Sequence, residues 1–366
     1  MQLQFNSIFE PGLPGNKWYT VFEKFWPTYQ KWLKSKGHEN FPSLESSVDA
    51  LKRYMPEMVT TYNILCSLVG DNPVAHRFLT GFQPPVYVSG CSQLVMSSTN
   101  AKLIRNYDYH PNLMEGTILN TSWNGKKVMV VGDSLIGALD GMNEDGLAVS
   151  HTFGGRKSVG VGFGIPFILR YVLEFCSNVK EAVDVLCRIP SHMSYNVTVV
   201  DKSGEFKTVQ LAPGLAPVIS DTVFTTNHQD KIDWPENAAF NGTIERSTFL
   251  QSLMTDKGLN ENSILNSFLN TPLYNTRFTE GFGTLYTAVY KPSENVMQLH
   301  WPNKFIEHTF DNFQESDCLI KYDQSIDNAP HFEFSKHYQM DNITRTNDIT
   351  AMLNSGDKSF KPITEY

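Results

Sequence analysis

Two textures of apolar and polar positions divide the chain. From about Lys17 to Gly70, aromatic and aliphatic residues recur at spacings of three and four, as in WYTVFEKFWPTYQKWL, which is the period of one face of a helix. Pro27 predicts a kink or a turn start inside the first such stretch. The second, SLESSVDALKRYMPEMVTTYNILCSLVG, opens on a Ser-x-x-Ser cap pattern and closes on Gly70. GFQPPVYVSG reads as extended, because Pro84 and Pro85 forbid helix and Val86 to Val88 favour strand.

After Cys91 the texture becomes that of strands. LVMSS and KLIRNYDY flank a short Thr-Asn turn, and KKVMVVG and GLAVSHTF follow with Asn-Glu-Asp-Gly between them. IPFILRYVLEFCSNVKEAVDVLCRIP supplies one or two helices. YNVTVVDKSGEFKTVQLAP reads as a hairpin, followed by APVISDTVFTTN. RSTFLQSLM and SILNSFLN are helical, and TLYTAVYKPSENVMQLHWP is a further hairpin. The tail after Trp301 is polar and aromatic without clear periodicity. Hairpins grouped around helices predict an α+β fold with antiparallel sheets, not a doubly wound parallel sheet.

Composition narrows the function. With 366 residues, 41% hydrophobic and 19% charged, the chain is long and apolar enough for a substantial core. A net charge of -8 and the absence of any basic block disfavour nucleic acid or an anionic membrane as partner. The N-terminus carries no secretory pattern and no apolar run spans a bilayer, so a cytoplasmic location is expected. A homo-oligomer is left open. The five cysteines, an odd number without C-x-x-C, predict free thiols. Cys66, Cys176 and Cys187 lie in apolar helical contexts and are expected to be buried, with Cys318 in a polar loop. Ten scattered histidines without H-E-x-x-H give no reason to expect a metal. GRKSVGVGFG lacks the Gly-Lys-Ser/Thr of a phosphate cradle and reads as a loop.

Cys91 stands apart, among small polar neighbours in SGCSQLVMSSTNAKLIRNYDYHP, with Arg105 and Asp108 shortly after it. A cysteine nucleophile needs a base. A histidine such as His151, His192 or His228 is one solution, though no local signature supports it. The other makes the cysteine the first residue of a chain, so that its own α-amine, with a free pKa of about 7.7–8.0, serves as base. Gly90, without a side chain, leaves the preceding carbonyl open to the thiol.

GCSQLV, then a turn, then RNYD resembles the cysteine branch of the N-terminal nucleophile hydrolases. That branch includes acyl-coenzyme A:6-aminopenicillanate acyltransferase, the choloylglycine hydrolases, the penicillin V acylases and acid ceramidase. The likeness continues through GLAVSHTFGGR, YNVTVVDKSG, TTNH and TLYTAVY, covering most of residues 91–301. A glycine before the cysteine, with about ninety residues ahead of it, is most similar to the penicillin acyltransferase group.

The resemblance implies a four-layer αββα sandwich and self-cleavage between Gly90 and Cys91. Residues 1–90 would then be a helical N-terminal segment and 91–366 the catalytic domain. It implies that Cys91 is the nucleophile in both self-cleavage and turnover, that Asp108 holds the new amine, and that Arg105 favours the thiolate. Asn227 would donate to the oxyanion, and Arg246 would buttress the acidic residue. Tyr107, His151, Thr152 and His228 are candidates for the pocket wall. The His151-Thr152 pair stands near where relatives carry an asparagine, which leaves the second oxyanion donor unassigned. The implied substrate is a small amide, and the 1–90 fragment is an implied partner. No cofactor is implied; acyl-coenzyme A would enter only as an acyl donor. Hydrolysis, transfer of the acyl group to an amine such as a β-lactam nucleus, and binding of a small amide without turnover are the three readings carried forward.

Overall fold

The computed structural model describes residues 2–37, 41–96, 100–256, 258–280 and 282–322. Strand β1 (Gln2–Glu10) precedes helices α1 (Asn16–Ser35), α2 (Leu44–Tyr54), α3 (Val59–Val69) and α4 (Pro73–Phe78). Six strands follow: β2 (Gly90–Met96), β3 (Lys102–Tyr109), β4 (Thr117–Thr121), β5 (Val128–Asp133), β6 (Gly137–Asn143) and β7 (Leu147–Phe153). Helices α5 (Ile165–Phe175) and α6 (Val179–Arg188) lead to β8 (Tyr195–Asp201), β9 (Phe206–Leu211), β10 (Val218–Ser220) and β11 (Phe224–Thr225). Then come α7 (Pro235–Asn241), α8 (Thr243–Leu253) and α9 (Glu261–Phe268), and finally β12 (Gly283–Lys291), β13 (Val296–Trp301), β14 (Lys304–Thr309) and β15 (Ser316–Lys321).

The strands form a nine-stranded sheet, β10-β9-β8-β7-β6-β5-β4-β1-β15, and a six-stranded sheet, β11-β2-β3-β12-β13-β14. Among the described strand pairs only β1–β4 is parallel. Strand alternation sorts side chains into three cores. Val128 and Val130 of β5 face the helices, packing with Trp18, Phe22, Ile168 and Leu186. Met129 and Val131 of the same strand face the smaller sheet, meeting Val95, Leu103 and Leu285. Leu94, Ile104 and Val289 point out of the smaller sheet onto Leu250, Ile264 and Phe268 of α8 and α9. Helix, sheet, sheet and helix thus stack as the expected αββα sandwich. Among the described residues no helix is long and apolar enough to cross a membrane.

Several local expectations change. Pro27 lies inside α1 without ending it. It faces solvent while Trp18, Phe22, Trp26 and Leu33 pack inward, and the Phe22 and Trp26 rings stack 5.4 Å apart. Burial of that stripe outweighs the missing backbone hydrogen bond. Residues 84–89 carry no regular secondary structure, and the strand begins at Gly90. Strands β1, β4, β6, β14 and β15 were not legible as strands. Cys187 is exposed, on the outer face of α6, whereas Cys318 is buried by the pairing of β15 with β1, where it lies opposite Phe5.

The N-terminal segment is tied into the sandwich. Glu10, at the end of β1, caps α1 by accepting from Lys17 N (2.9 Å) and Trp18 N (3.2 Å). Trp18 Nε1 donates to Leu135 O (2.9 Å), and Tyr29 Oη donates to Glu115 Oε1 (2.6 Å). These contacts grip the β5–β6 turn, where Ser134 and Leu135 both adopt left-handed φ, 56° and 69°. That conformation is costly for leucine and persists because Leu135 N donates to Glu115 Oε1 at 2.7 Å.

Burial, and then the neighbouring Glu115 charge, push the Asp133 carboxyl in this turn up to about 7. The unfolded chain releases that proton near pH ~4, so the folded state binds one proton more between about pH 4 and 7. Stability is therefore fully present at the acid end of the window and falls as pH rises through it, by at most about 1.4 kcal/mol per unit. Asp133→Asn is expected to remove this component, so that the loss of Tm between pH 5 and 7.5 shrinks by roughly 2–6 °C. An identical loss in variant and wild type would refute the assignment.

Candidate active site

The β2–β3 hairpin sets Gly90 opposite Asp108, Cys91 opposite Tyr107 and Gln93 opposite Arg105. Cys91, Tyr107 and Arg105 therefore share the inner face of the smaller sheet, and the thiol is fully buried between the sheets. Arg105 Nη2 reaches the Cys91 sulfur at 3.3 Å, and Ser89 Oγ lies 3.8 Å from it. Gly90 is dictated by packing: a Cβ there would run into the ring of Phe282.

Pairing of β11 with β2 carries the chain past Thr225 and brings Asn227 to Cys91. Asn227 Oδ1 accepts from the Cys91 backbone N–H at 2.9 Å. Its Nδ2 faces Phe153 O (3.3 Å) and Ser89 O (3.4 Å). Gly155 passes so close to the Asn227 backbone that no side chain fits there, and Thr152 Oγ1 donates to Thr226 O at 2.8 Å. Thr152 thus supports the Asn227 loop. Arg246, from α8, donates through Nη1 to Cys91 O and to Ser92 Oγ (2.8 Å), and through Nη2 to Asn227 Oδ1 (2.6 Å).

The charged side chains reach across the sheets. Arg105 pairs with the buried Asp140 of β6, not with Asp108, because its guanidinium points across to the larger sheet. Arg246 makes no hydrogen bond to Asp108; it holds Asn227 and the Cys91 carbonyl, and reaches Asp108 only through space. Arg105 pulls the Cys91 thiol toward thiolate, as the resemblance implies. Burial raises the thiol's pKa, with Asp108 adding to the rise, and outweighs the opposing pull of Arg105. Asp108 is likewise raised by burial, despite Arg246 and a hydrogen bond from Thr284 Oγ1 to Oδ1 at 2.7 Å. Its Oδ2 has no hydrogen-bond partner among the described residues.

The remaining candidates divide. Tyr107 lies beside the thiol, with its ring 4.8 Å from the Arg105 guanidinium carbon. His151 is buried, its Nδ1 2.9 Å from Leu139 O, and burial followed by the Arg105 charge holds it well below the usual histidine range. His228 sits one step away, with Nδ1 2.9 Å from Thr243 Oγ1. Among the described residues no histidine is hydrogen-bonded to Cys91, and no group of side chains is arranged to hold a metal. Asp140, Tyr286, Tyr290, Ser89 and Thr284 escaped the sequence reading. An aspartate within the apolar run of β6 was the one available signal for the first.

A sequence model of the acyl-coenzyme A:6-aminopenicillanic acid acyl-transferase family matches residues 95–305, more than half of the chain. No curated protein matches the sequence. Similar solved structures include a conjugated bile acid hydrolase from Clostridium perfringens, 14% identical over 66% of this chain and 100% of that one, with a TM-score of 0.40. Penicillin V acylase from Agrobacterium tumefaciens is 15% identical over 60% and 86%, with a TM-score of 0.40. The Caenorhabditis elegans ortholog of N-acylethanolamine-hydrolyzing acid amidase is 17% identical over 64% and 100%, with a TM-score of 0.42. With the family model matching from Val95, four residues after Cys91, through β13, the chain belongs to the acyl-coenzyme A:6-aminopenicillanic acid acyl-transferase family.

Proposed function

We propose that the protein is a self-processing amidohydrolase whose single nucleophile is Cys91. In the first reaction the thiol adds to the Gly90 carbonyl, the Gly90–Cys91 C–N bond breaks, and a thioester joins the Gly90 carbon to the Cys91 sulfur. The nitrogen keeps the proton given up by sulfur and becomes an α-amine. Water then hydrolyses the thioester, leaving residues 1–90 with a new carboxylate and Cys91 as a chain start.

In turnover the α-amine takes the thiol proton as sulfur attacks the substrate amide. It returns that proton to the leaving amine, and water releases the acyl group. A neutral thiol suits this sequence, since the amine must be free to accept. Asp108, opposite Gly90, orients the amine, and Arg105 donates to the sulfur. Asn227 Nδ2 donates to the oxyanion, and Arg246 holds Asn227 and Cys91 in place.

The observation that carries the reading is the pair of contacts on one residue: Asn227 Oδ1 on Cys91 N at 2.9 Å and Arg105 Nη2 on Cys91 Sγ at 3.3 Å. Transfer of the acyl group to an amine is the second reading, favoured by the family's own description as an acyl-transferase. The first test is the intact mass of the purified protein under denaturing conditions. Fragments 1–90 and 91–366 are expected; a lone full-length species that never converts on incubation would overturn self-processing.

A further inference from the structure

We propose that Asp140 is a positioning residue for the reaction: clamped by Tyr286 and Tyr290, it aims Arg105 at the Cys91 sulfur and compensates its charge, so that the thiol keeps its proton at rest. This rests on Cys91 being the reacting thiol.

The arrangement begins with a β-bulge. In the β5–β6 ladder Val131 pairs with Asp140 and Gly132 with Ala138, so Leu139 is the extra residue. Its carbonyl oxygen accepts from Arg105 Nη1 at 3.0 Å and from His151 Nδ1 at 2.9 Å. The same bulge turns Asp140 into the space between the sheets. There its Oδ2 accepts from Arg105 Nη1 and from Tyr286 Oη (2.7 Å), and its Oδ1 accepts from Tyr290 Oη. Tyr286 and Tyr290 are four residues apart on β12 and face the same side, as a period of two requires.

Both charged side chains are fully buried. A buried ion pair is costly unless its remaining lone pairs and protons are satisfied; here both carboxylate oxygens are occupied, while Arg105 Nε has no hydrogen-bond partner among the described residues. With Nη1 committed to Asp140 and Leu139, Nη2 is the nitrogen turned to the sulfur. An uncompensated guanidinium at 3.3 Å would stabilise thiolate strongly, whereas the paired one donates a hydrogen bond with much of its field cancelled. An amine that must act as base is served by a neutral thiol, because a thiolate formed at rest would leave the amine already protonated.

Other groups within electrostatic reach of the sulfur are Asp108 and Tyr107 on β3, Arg246 on α8 and Tyr195 on β8. His151 on β7 faces Arg105, and burial followed by that charge holds it well below the usual histidine range. Among the charged groups of the described residues, Asp140 alone is joined directly to the guanidinium that touches the thiol; its other partners are Leu139 O and, at 3.4 Å, Tyr286 Oη.

The test is the rate at which iodoacetamide modifies Cys91 as a function of pH, read by mass spectrometry of the Cys91 peptide so that the other cysteines do not contribute. Asp140→Asn, which removes the charge and keeps the shape, is expected to lower the Cys91 midpoint by about one pH unit, a tenfold faster reaction at a fixed pH below it. Asp140→Glu is expected to restore the wild-type midpoint. An unchanged or raised midpoint in Asp140→Asn overturns the proposal. Should that variant not fold, Tyr290→Phe strips one hydroxyl donor from the carboxylate and leaves both charges. It is expected to move the midpoint upward, slowing the reaction about twofold, and no movement would overturn the proposal. Intact mass of the same samples reports processing separately. An uncleaved wild-type chain whose Cys91 midpoint still responds to Asp140 strikes the processing reading alone. A cleaved chain with an unresponsive midpoint strikes the role of Asp140 alone.

Discussion

Cys91→Ala is expected to yield a single species of about 41.4 kDa that neither divides on storage nor turns over any amide substrate. One sulfur performs both reactions, so its loss removes both, with turnover falling by at least about 10⁴-fold. The fold is expected to survive. Cys91 is a small buried residue in the core between the sheets, and replacing its thiol by hydrogen costs on the order of 1–2 kcal/mol of packing. Arg105 loses one contact and keeps Asp140 and Leu139 O. The checks are the intact mass and the Tm of the variant beside wild type. Fragments 1–90 and 91–366 from the alanine variant would mean that another nucleophile or a contaminating protease cuts the chain. A variant that stays whole while keeping wild-type turnover would remove Cys91 from the chemistry.

Local patterns were legible where the forces are local. The β2–β3 and β8–β9 hairpins follow from alternation and turn residues, and α5 and α6 from apolar periodicity. Cys91, Arg105 and Asp108 lie within eighteen residues on one hairpin, so their association was readable along the chain. Strand β1 was not, because its inward face carries Phe5 beside Ser7, and its partners are β4 and β15, far away in sequence. Strand β6 hides behind two glycines and Asp140, which lower strand propensity. The acid partner of Arg105 was out of reach for the same reason: Asp140 is brought in from the other sheet. The thiol's state depends on solvation, and burial is a property of the assembled sandwich that no neighbour in the sequence announces.

The second large effect is expected at Asn227, where both ends of the side chain are engaged. Oδ1 accepts from Cys91 N and from Arg246 Nη2, so truncation to alanine leaves a buried N–H and a buried cation short of an acceptor. It also removes Nδ2, the proposed oxyanion donor, whose loss costs about 10²–10³ in rate. Asn227→Ala is therefore expected to slow both cleavage of the precursor and turnover of the mature enzyme by at least that factor. Alanine alone does not separate support from catalysis, and Asn227→Asp does. Aspartate keeps an oxygen for Cys91 N, strengthens the hold of Arg246, and replaces the donor by a second acceptor. If Nδ2 donates to the oxyanion, the aspartate variant loses about 10²-fold in turnover, and its Tm falls because a second oxygen then faces the Phe153 and Ser89 carbonyls. Turnover within about threefold of wild type in Asn227→Asp would confine Asn227 to holding the Cys91 nitrogen and assign the oxyanion to backbone donors instead.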